Sequence, residues 1–178
     1  MTDPLARDVR SVLETWQAPD PAQAALRDEF VAFVDHHADG VRRACVPGHI
    51  TASALVLSAD RREVLLTLHA KIGRWLQTGG HCEDADTTLR EAALREATEE
   101  SGIAGLVIGA GPVRLDKHRV GCHGGAWHLD VQYVAVAPAD AEHAISEESL
   151  DLAWFPVDSL PDSSDDALRA LVRTALAA

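Results

Sequence analysis

Basic residues are scarce in this chain. Sixteen lysines and arginines stand against 28 aspartates and glutamates, for a formal net charge of −12. That deficit excludes a broad cationic surface, and with it the usual electrostatic route to a nucleic-acid polymer or an anionic membrane. A small anion can still bind where a metal ion or a few local Arg and Lys residues receive it. Cysteine is nearly absent. Cys45, Cys82 and Cys122 are odd in number and irregular in spacing, which fits reduced thiols better than a disulfide framework. No apolar run is long enough to cross a bilayer. The opening segment MTDPLARDVRSVLETW has a polar helical pattern and lacks the apolar stretch of a signal peptide. These absences predict a cytoplasmic protein. Internal repeats and low-complexity tracts are also missing.

What is present is enough for a packed core: 178 residues, 47% of them hydrophobic. Residues 1–46 read as an N-terminal extension of two helices. Asp3-Pro4 and Asp20-Pro21 each look like an N-cap followed by a first-turn proline. Leu5, Val9, Val12, Leu13 and Trp16 recur at helical spacing, as do Ala25, Leu26, Phe30, Phe33 and Val34. The adjacent His36 and His37 in HHADG read as a solvated helix end. Residues 47–178 form the second unit. HITASALVLS and REVLLTLHA read as strands joined by a turn at ADRR. The loop KIGRWLQTGGHCEDADTT leads to a helix from about Leu89 to Ser101. Three strand-like runs follow (AGLVIGA, VRLDKHRV and AWHLDVQYVAVAP), then the acidic loop ADAEHAISEESLD, a last strand LAWFPVDSL and a closing helix DDALRALVRTALA. This order predicts an α/β sandwich with a mixed sheet and one functional helix in the middle.

That helix ends in REATEESGI, stopping at Gly102. Glu96, Glu99 and Glu100 fall at i, i+3 and i+4, so their carboxylates share a face. Like charges at that spacing repel by about 0.2–0.5 kcal/mol per pair. They also sit at the helix end where the macrodipole favours cations. Gly79-Gly80 precede the helix and let backbone approach a ligand closely. Ala93, Leu94 and Ala97 form a small apolar side that can press on a sheet. A hard divalent cation among the glutamates would turn their repulsion into coordination, because Mg²⁺ takes oxygen ligands.

Residues 79–103, GGHCEDADTTLREAALREATEESGI, resemble the Nudix box. The pattern is Gly, five residues, Glu, seven residues, then Arg-Glu-apolar-x-Glu-Glu-x-Gly-apolar. Its second half matches at Arg95, Glu96, Ala97, Glu99, Glu100, Gly102 and Ile103. Its first half departs: counting from Gly80, Asp86 holds the Glu position, and eight residues rather than seven separate it from Arg95. The resemblance extends over about residues 47–160 and implies a Nudix-like α/β/α sandwich. It implies metal-assisted hydrolysis of a diphosphate linkage in a small molecule, most often a nucleoside diphosphate derivative, with Mg²⁺ or Mn²⁺ as cofactor. Glu99 and Glu100 would be metal ligands, Glu96 a ligand or the general base, and Arg95 the residue that orients a neighbouring glutamate. A backbone carbonyl of Gly79 or Gly80 would complete the metal shell. A further carboxylate would come from Glu147 or Glu148 in the acidic loop. Lys71, Arg74 and His81 flank the glycine loop and are candidates to meet phosphate oxygens.

The substrate stays open in the sequence. No SQPWPxPxS-type array follows the box, and His118 and Arg119 stand where two other subgroups carry proline or tyrosine. Cys122, His123 and His128 in GCHGGAWH lack the paired spacing of structural zinc sites and read as a glycine-rich turn. Trp75 and Trp127 read as core residues, with stacking on a base as the alternative. Two other functions share the resemblance: a Nudix-fold binding or regulatory module without catalysis, and an isomerase of the isopentenyl-diphosphate type using Cys82. The expected partner is a small diphosphate, with no nucleic-acid polymer and no membrane. The oligomeric state is left open, a homodimer included.

Overall fold

In the computed structural model, which describes residues 3–120, 125–144 and 149–177, a single mixed sheet organises the chain. Its centre is a parallel pair. Strand β1 (Gly48–Leu57) runs beside β7 (Trp127–Val136) in an unbroken register from Gly48↔Trp127 to Leu57↔Val136. Antiparallel strands flank it: β2 (Glu63–His69), with β3 (Trp75–Leu76) and β8 (Ser149–Pro156) beside β2, and β4 (Thr78–His81) on β1. On the other side, β5 (Val107–Ile108) and β6 (Arg114–Arg119) pair with β7. The long glycine loop of the sequence reading thus contains two short strands. Gly79 and Gly80 disfavour a strand, and it is hydrogen bonding to β1 that makes residues 78–81 β4.

Helices cover both faces. On one face α1 (Pro4–Thr15), α2 (Pro21–His36) and α3 (Leu89–Ser101) pack on Ile50, Ala52, Ala54, Val56, Leu129, Val131 and Tyr133. On the other, α4 (Asp166–Ala177) packs Leu168, Leu171 and Val172 on Leu55, Leu57, Val64 and Leu66. These layers are the α/β/α sandwich the sequence predicts. Strand β1 is buried along its full length because it is central and covered on both sides. No helix among the described residues is long and apolar enough to cross a membrane.

The N-terminal helices form where predicted. Asp3 accepts a hydrogen bond from the Leu5 amide and Asp20 one from the Gln23 amide, each followed by proline. Both helices join the main core through Leu5, Val9, Leu13 and Phe30. They also hold specific backbone. Gln23 on α2 accepts from the Leu115 amide (2.7 Å) and donates to the Leu115 carbonyl (3.0 Å), pairing with strand β6 as another strand would. Asp8 on α1 accepts from the Leu89 amide at 2.8 Å, supplementing the Thr88 cap of α3. Asp8→Ala should therefore lower stability by about 1 kcal/mol, the usual cost of a lost cap, seen as a lower urea midpoint with an unchanged slope.

Candidate active site

Helix α3 is locally well specified. The Thr88 side chain accepts from the Glu91 amide, and Gly102 closes the helix in the left-handed region at φ +67°. A Cβ at Gly102 would come within 2.9 Å of the Ala144 Cβ, so glycine is required by space as well as by conformation. Ala92, Ala93 and Ala97 are buried against the sheet. Their small side chains let the helix axis approach β1 and β4, which fixes the direction of the adjoining helix face, turned toward β4.

That face carries Glu96, Glu99 and Glu100. Glu96 and Glu100 converge on Gly79-Gly80. A Cβ on Gly80 would lie 2.7 Å from Glu96 Oε2, and the Gly79 amide donates to Glu100 Oε2 at 3.3 Å. Glu96 is sheltered, its side chain 15% exposed, whereas Glu99 is 59% exposed. Arg95 ties the group together. Its Nη1 donates to Glu96 Oε1 and to Glu99 Oε2, each at 3.0 Å. Its Nη2 reaches the His81 carbonyl at 3.1 Å and Asp86 Oδ2 at 2.9 Å, and its Nε reaches Asp86 Oδ1 at 3.2 Å.

Asp86 therefore braces the arginine. Its carboxyl also accepts from the Glu83 amide at 2.7 Å. Burial pushes Asp86 upward, but the hydrogen bonds from Arg95 and Glu83 outweigh burial and hold it below the ordinary aspartate value. Asp86, first among its partners, raises the pKa of Arg95, so the guanidinium stays charged. The repulsion expected among the glutamates is thus partly offset by a cation within the helix itself, which spacing alone did not reveal beyond the Arg95–Glu99 pair.

The remaining candidates scatter. Lys71 is exposed on the turn between β2 and β3, and Arg74 faces Asp165 at 3.6 Å. Glu147 and Glu148, like Cys122 and His123, lie outside the described residues. Trp75 packs edge-on against Phe155 at 4.8 Å, while Trp127 lies under Lys117 and Arg119 at 4.5 and 4.7 Å. A cleft of about 370 Å³ between α2 and β7, lined by Phe33, His37, Lys117 and Trp127, has none of the α3 glutamates in its wall. Charge and donor chemistry, not concavity, distinguish α3 as the candidate site.

His81 belongs to a second constellation. Residues 49, 51 and 53 of β1 face the same way as 128, 130 and 132 of β7. On this polar half of the sheet, Asp130 is buried and accepts from Thr51 (2.9 Å), Ser53 (2.6 Å) and Gln132 (3.2 Å). Burial pushes the Asp130 carboxyl upward against those bonds. The rings of His49, His81 and His128 stand 4.9–5.0 Å apart, and His118 is 5.4 Å from His128. Burial, and after it the neighbouring His81, His49 and His118, push His128 down to about 3. In the sequence His128 stands beside Cys122 and His123, whereas in the fold it meets His49 and His81. The sequence signal for this is the polar alternation His49-x-Thr51-x-Ser53 and His128-x-Asp130-x-Gln132 inside strands that are otherwise core.

A family model described as the NUDIX domain matches residues 47–174. No curated protein matches the chain significantly in sequence. Among solved structures, a NUDIX-family hydrolase from Clostridium perfringens superposes with a TM-score of 0.63 at 24% identity, over 72% of this chain and 96% of that one. An Ap4A hydrolase from C. elegans gives a TM-score of 0.60 at 19% identity, over 72% and 95%. The NUDIX domain of Shewanella oneidensis NrtR, complexed with ADP ribose, gives 0.60 at 20% identity, over 76% and 90%.

Proposed function

The chain belongs to the Nudix family, and from that premise we propose that it is a metal-dependent pyrophosphohydrolase that cleaves the diphosphate linkage of a nucleoside diphosphate derivative. The observation that carries this reading is the gathering of Glu96, Glu99 and Glu100 on one helix face, with Glu96 and Glu99 joined through Arg95 and Glu96 and Glu100 set against Gly79-Gly80. The donor set consists of carboxylate and carbonyl oxygens, and the missing Cβ of Gly80 leaves the Glu96 carboxylate against bare backbone. Such a set fits Mg²⁺ or Mn²⁺.

Glu99, Glu100 and a carbonyl of Gly79 or Gly80 would hold the ion, with Glu96 as a further ligand or as the base that takes a proton from water. An ion held there would neutralise phosphate oxygens and acidify an attacking water. Arg95 holds Glu96 by a 3.0 Å bond beside the glycine backbone, so a carboxylate is oriented there before substrate arrives. Asp86 keeps Arg95 from swinging into solvent. Lys71 and Arg74, on the turn before the glycine loop, are the cations this reading assigns to substrate phosphates.

The substrate class is supported by the similar structures. One is an Ap4A hydrolase and another binds ADP ribose, and both ligands contain phosphoric anhydrides. The isomerase reading is weaker here. Cys82 is buried, and desolvation with the nearby Asp86 charge pushes its thiol up to about 12, which opposes thiolate chemistry.

A panel of nucleoside diphosphate derivatives, including ADP-ribose and a dinucleoside polyphosphate, tests the proposal. Mg²⁺-dependent cleavage of at least one, halted by EDTA and restored by added Mg²⁺, is expected. Tight binding of ADP-ribose with no cleavage of any compound would favour the regulatory module instead.

A further inference from the structure

We infer that His49, His81 and His128 form a transition-metal site, distinct from the glutamate centre, for an ion of the Zn²⁺ class. One ligating atom from each imidazole lies within 4.8 Å of the other two. Nitrogens around a tetrahedral zinc at about 2.0–2.1 Å stand roughly 3.4 Å apart, so small ring rotations of about 1 Å close the site. The three rings come from three hydrogen-bonded strands. His49 is directly opposite His128 in the β1–β7 register, and His81 on β4 is opposite Thr51, two residues along β1. The sheet itself therefore sets their spacing, and no loop has to order to build the site.

The donors differ in kind from those on α3. Three neutral nitrogens suit Zn²⁺, Co²⁺, Ni²⁺ or Cu²⁺, whereas carboxylate oxygens suit Mg²⁺ and Mn²⁺. The two sets also lie on opposite faces of β4. Gly80 faces Glu96 and pairs with Ala52, whose side chain belongs to the core under α3. His81 faces Thr51 and the buried Asp130 network. An ion held by the histidines is thus not the ion of the glutamates, although both would fix the same glycine strand.

The surroundings have the features of an outer shell. His49 Nδ1 is 3.5 Å from the Cys45 carbonyl, a contact that would present Nε2 to the ion. Asp130 lies two residues beyond His128 on the same face, and Asp116 on β6 is paired with it in register. Asp116 also bonds His118 Nδ1 at 2.7 Å. Asp116, and after it Asp130, raise the pKa of the neighbouring His118. Three protein ligands leave a fourth position for water or for an oxygen of a small anion.

Titrating the chelator-stripped full-length protein with Co²⁺, followed by visible d–d absorption, tests the site. We expect one equivalent with the intense bands of tetrahedral nitrogen coordination, displaced by Zn²⁺, in the wild type and equally in Glu100→Gln. His81→Gln and His128→Gln should each weaken binding by roughly a hundredfold or more, at least the about 10–100-fold that losing an outer-shell partner costs. Circular dichroism checks that each variant folds. If neither does, zinc K-edge absorption on the wild type decides, with three imidazole nitrogens expected and fewer overturning the assignment. Absence of the bands in the wild type, full binding in both histidine variants, or their loss in Glu100→Gln would each overturn it.

Discussion

Glu100→Gln should reduce turnover by about a hundredfold or more, equivalent to about 2.7 kcal/mol of barrier, while leaving the metal-free protein about as stable as before. The substitution keeps size and removes one negative charge. Glu100 lies at a helix end that disfavours anions and one helical turn from Glu96. The bond from the Gly79 amide to Glu100 Oε2 is long, 3.3 Å. Relief of repulsion and loss of that bond are each a few tenths of a kcal/mol and opposite in sign. A melting curve in EDTA, set beside a turnover measurement in Mg²⁺, checks both halves. A protein that melts several degrees lower without metal yet keeps most of its activity would make Glu100 a structural residue.

Arg95→Ala should damage folding and catalysis together. The guanidinium side chain is 21% exposed and its partner Asp86 only 7%. Breaking a buried pair costs about 3–5 kcal/mol; partial exposure of this one reduces the expectation to about 2–3 kcal/mol. Turnover should fall at least about tenfold (about 1.4 kcal/mol) because Glu96 and Glu99 lose the group that orients them. Arg95→Lys should recover little of either, since an ammonium cannot span Asp86, Glu96 and Glu99 at once. The sign with pH follows from Asp86. Its folded pKa is depressed, so the pair's contribution is complete above the ordinary value of 3.8 and is lost as pH falls through the folded value. Acid titration of stability should show this loss in the wild type and not in Arg95→Ala. An Arg95→Ala protein that is as stable and as fast as wild type would contradict the bracing role.

Local signals made much of this legible in the sequence. Gly102 closes α3, Asp3-Pro4 and Asp20-Pro21 open the first two helices, and the structure has all of them in those places. The i, i+3, i+4 glutamates needed only helix geometry to be seen as a cluster. What stayed hidden depends on strand pairing. Gly79 and Gly80 work against a strand at residues 78–81, and pairing with β1 is what makes β4. The same is true of the histidines, which are 32 and 47 residues apart along the chain and meet only through registers that no local pattern encodes. Asp86 was visible as a departure from the box. Its partner was not, because Arg95 and Asp86 meet through the path of the loop before α3.

The central claim is that the α3 glutamates hold the ion that catalysis needs, and Mn²⁺ binding followed by electron paramagnetic resonance tests it most directly. The protein should first be freed of metal with EDTA and dialysed, so that the oxygen site starts empty; Zn²⁺ is left out because it would outcompete Mn²⁺ there. Wild-type protein should then remove Mn²⁺ from solution. Protein with Glu96, Glu99 and Glu100 all changed to Gln should bind it at least about tenfold more weakly, a loss of about 1.4 kcal/mol or more, and should be inactive on a substrate the wild type cleaves. Equal Mn²⁺ affinity in the two proteins, with turnover preserved in the triple variant, would contradict the account.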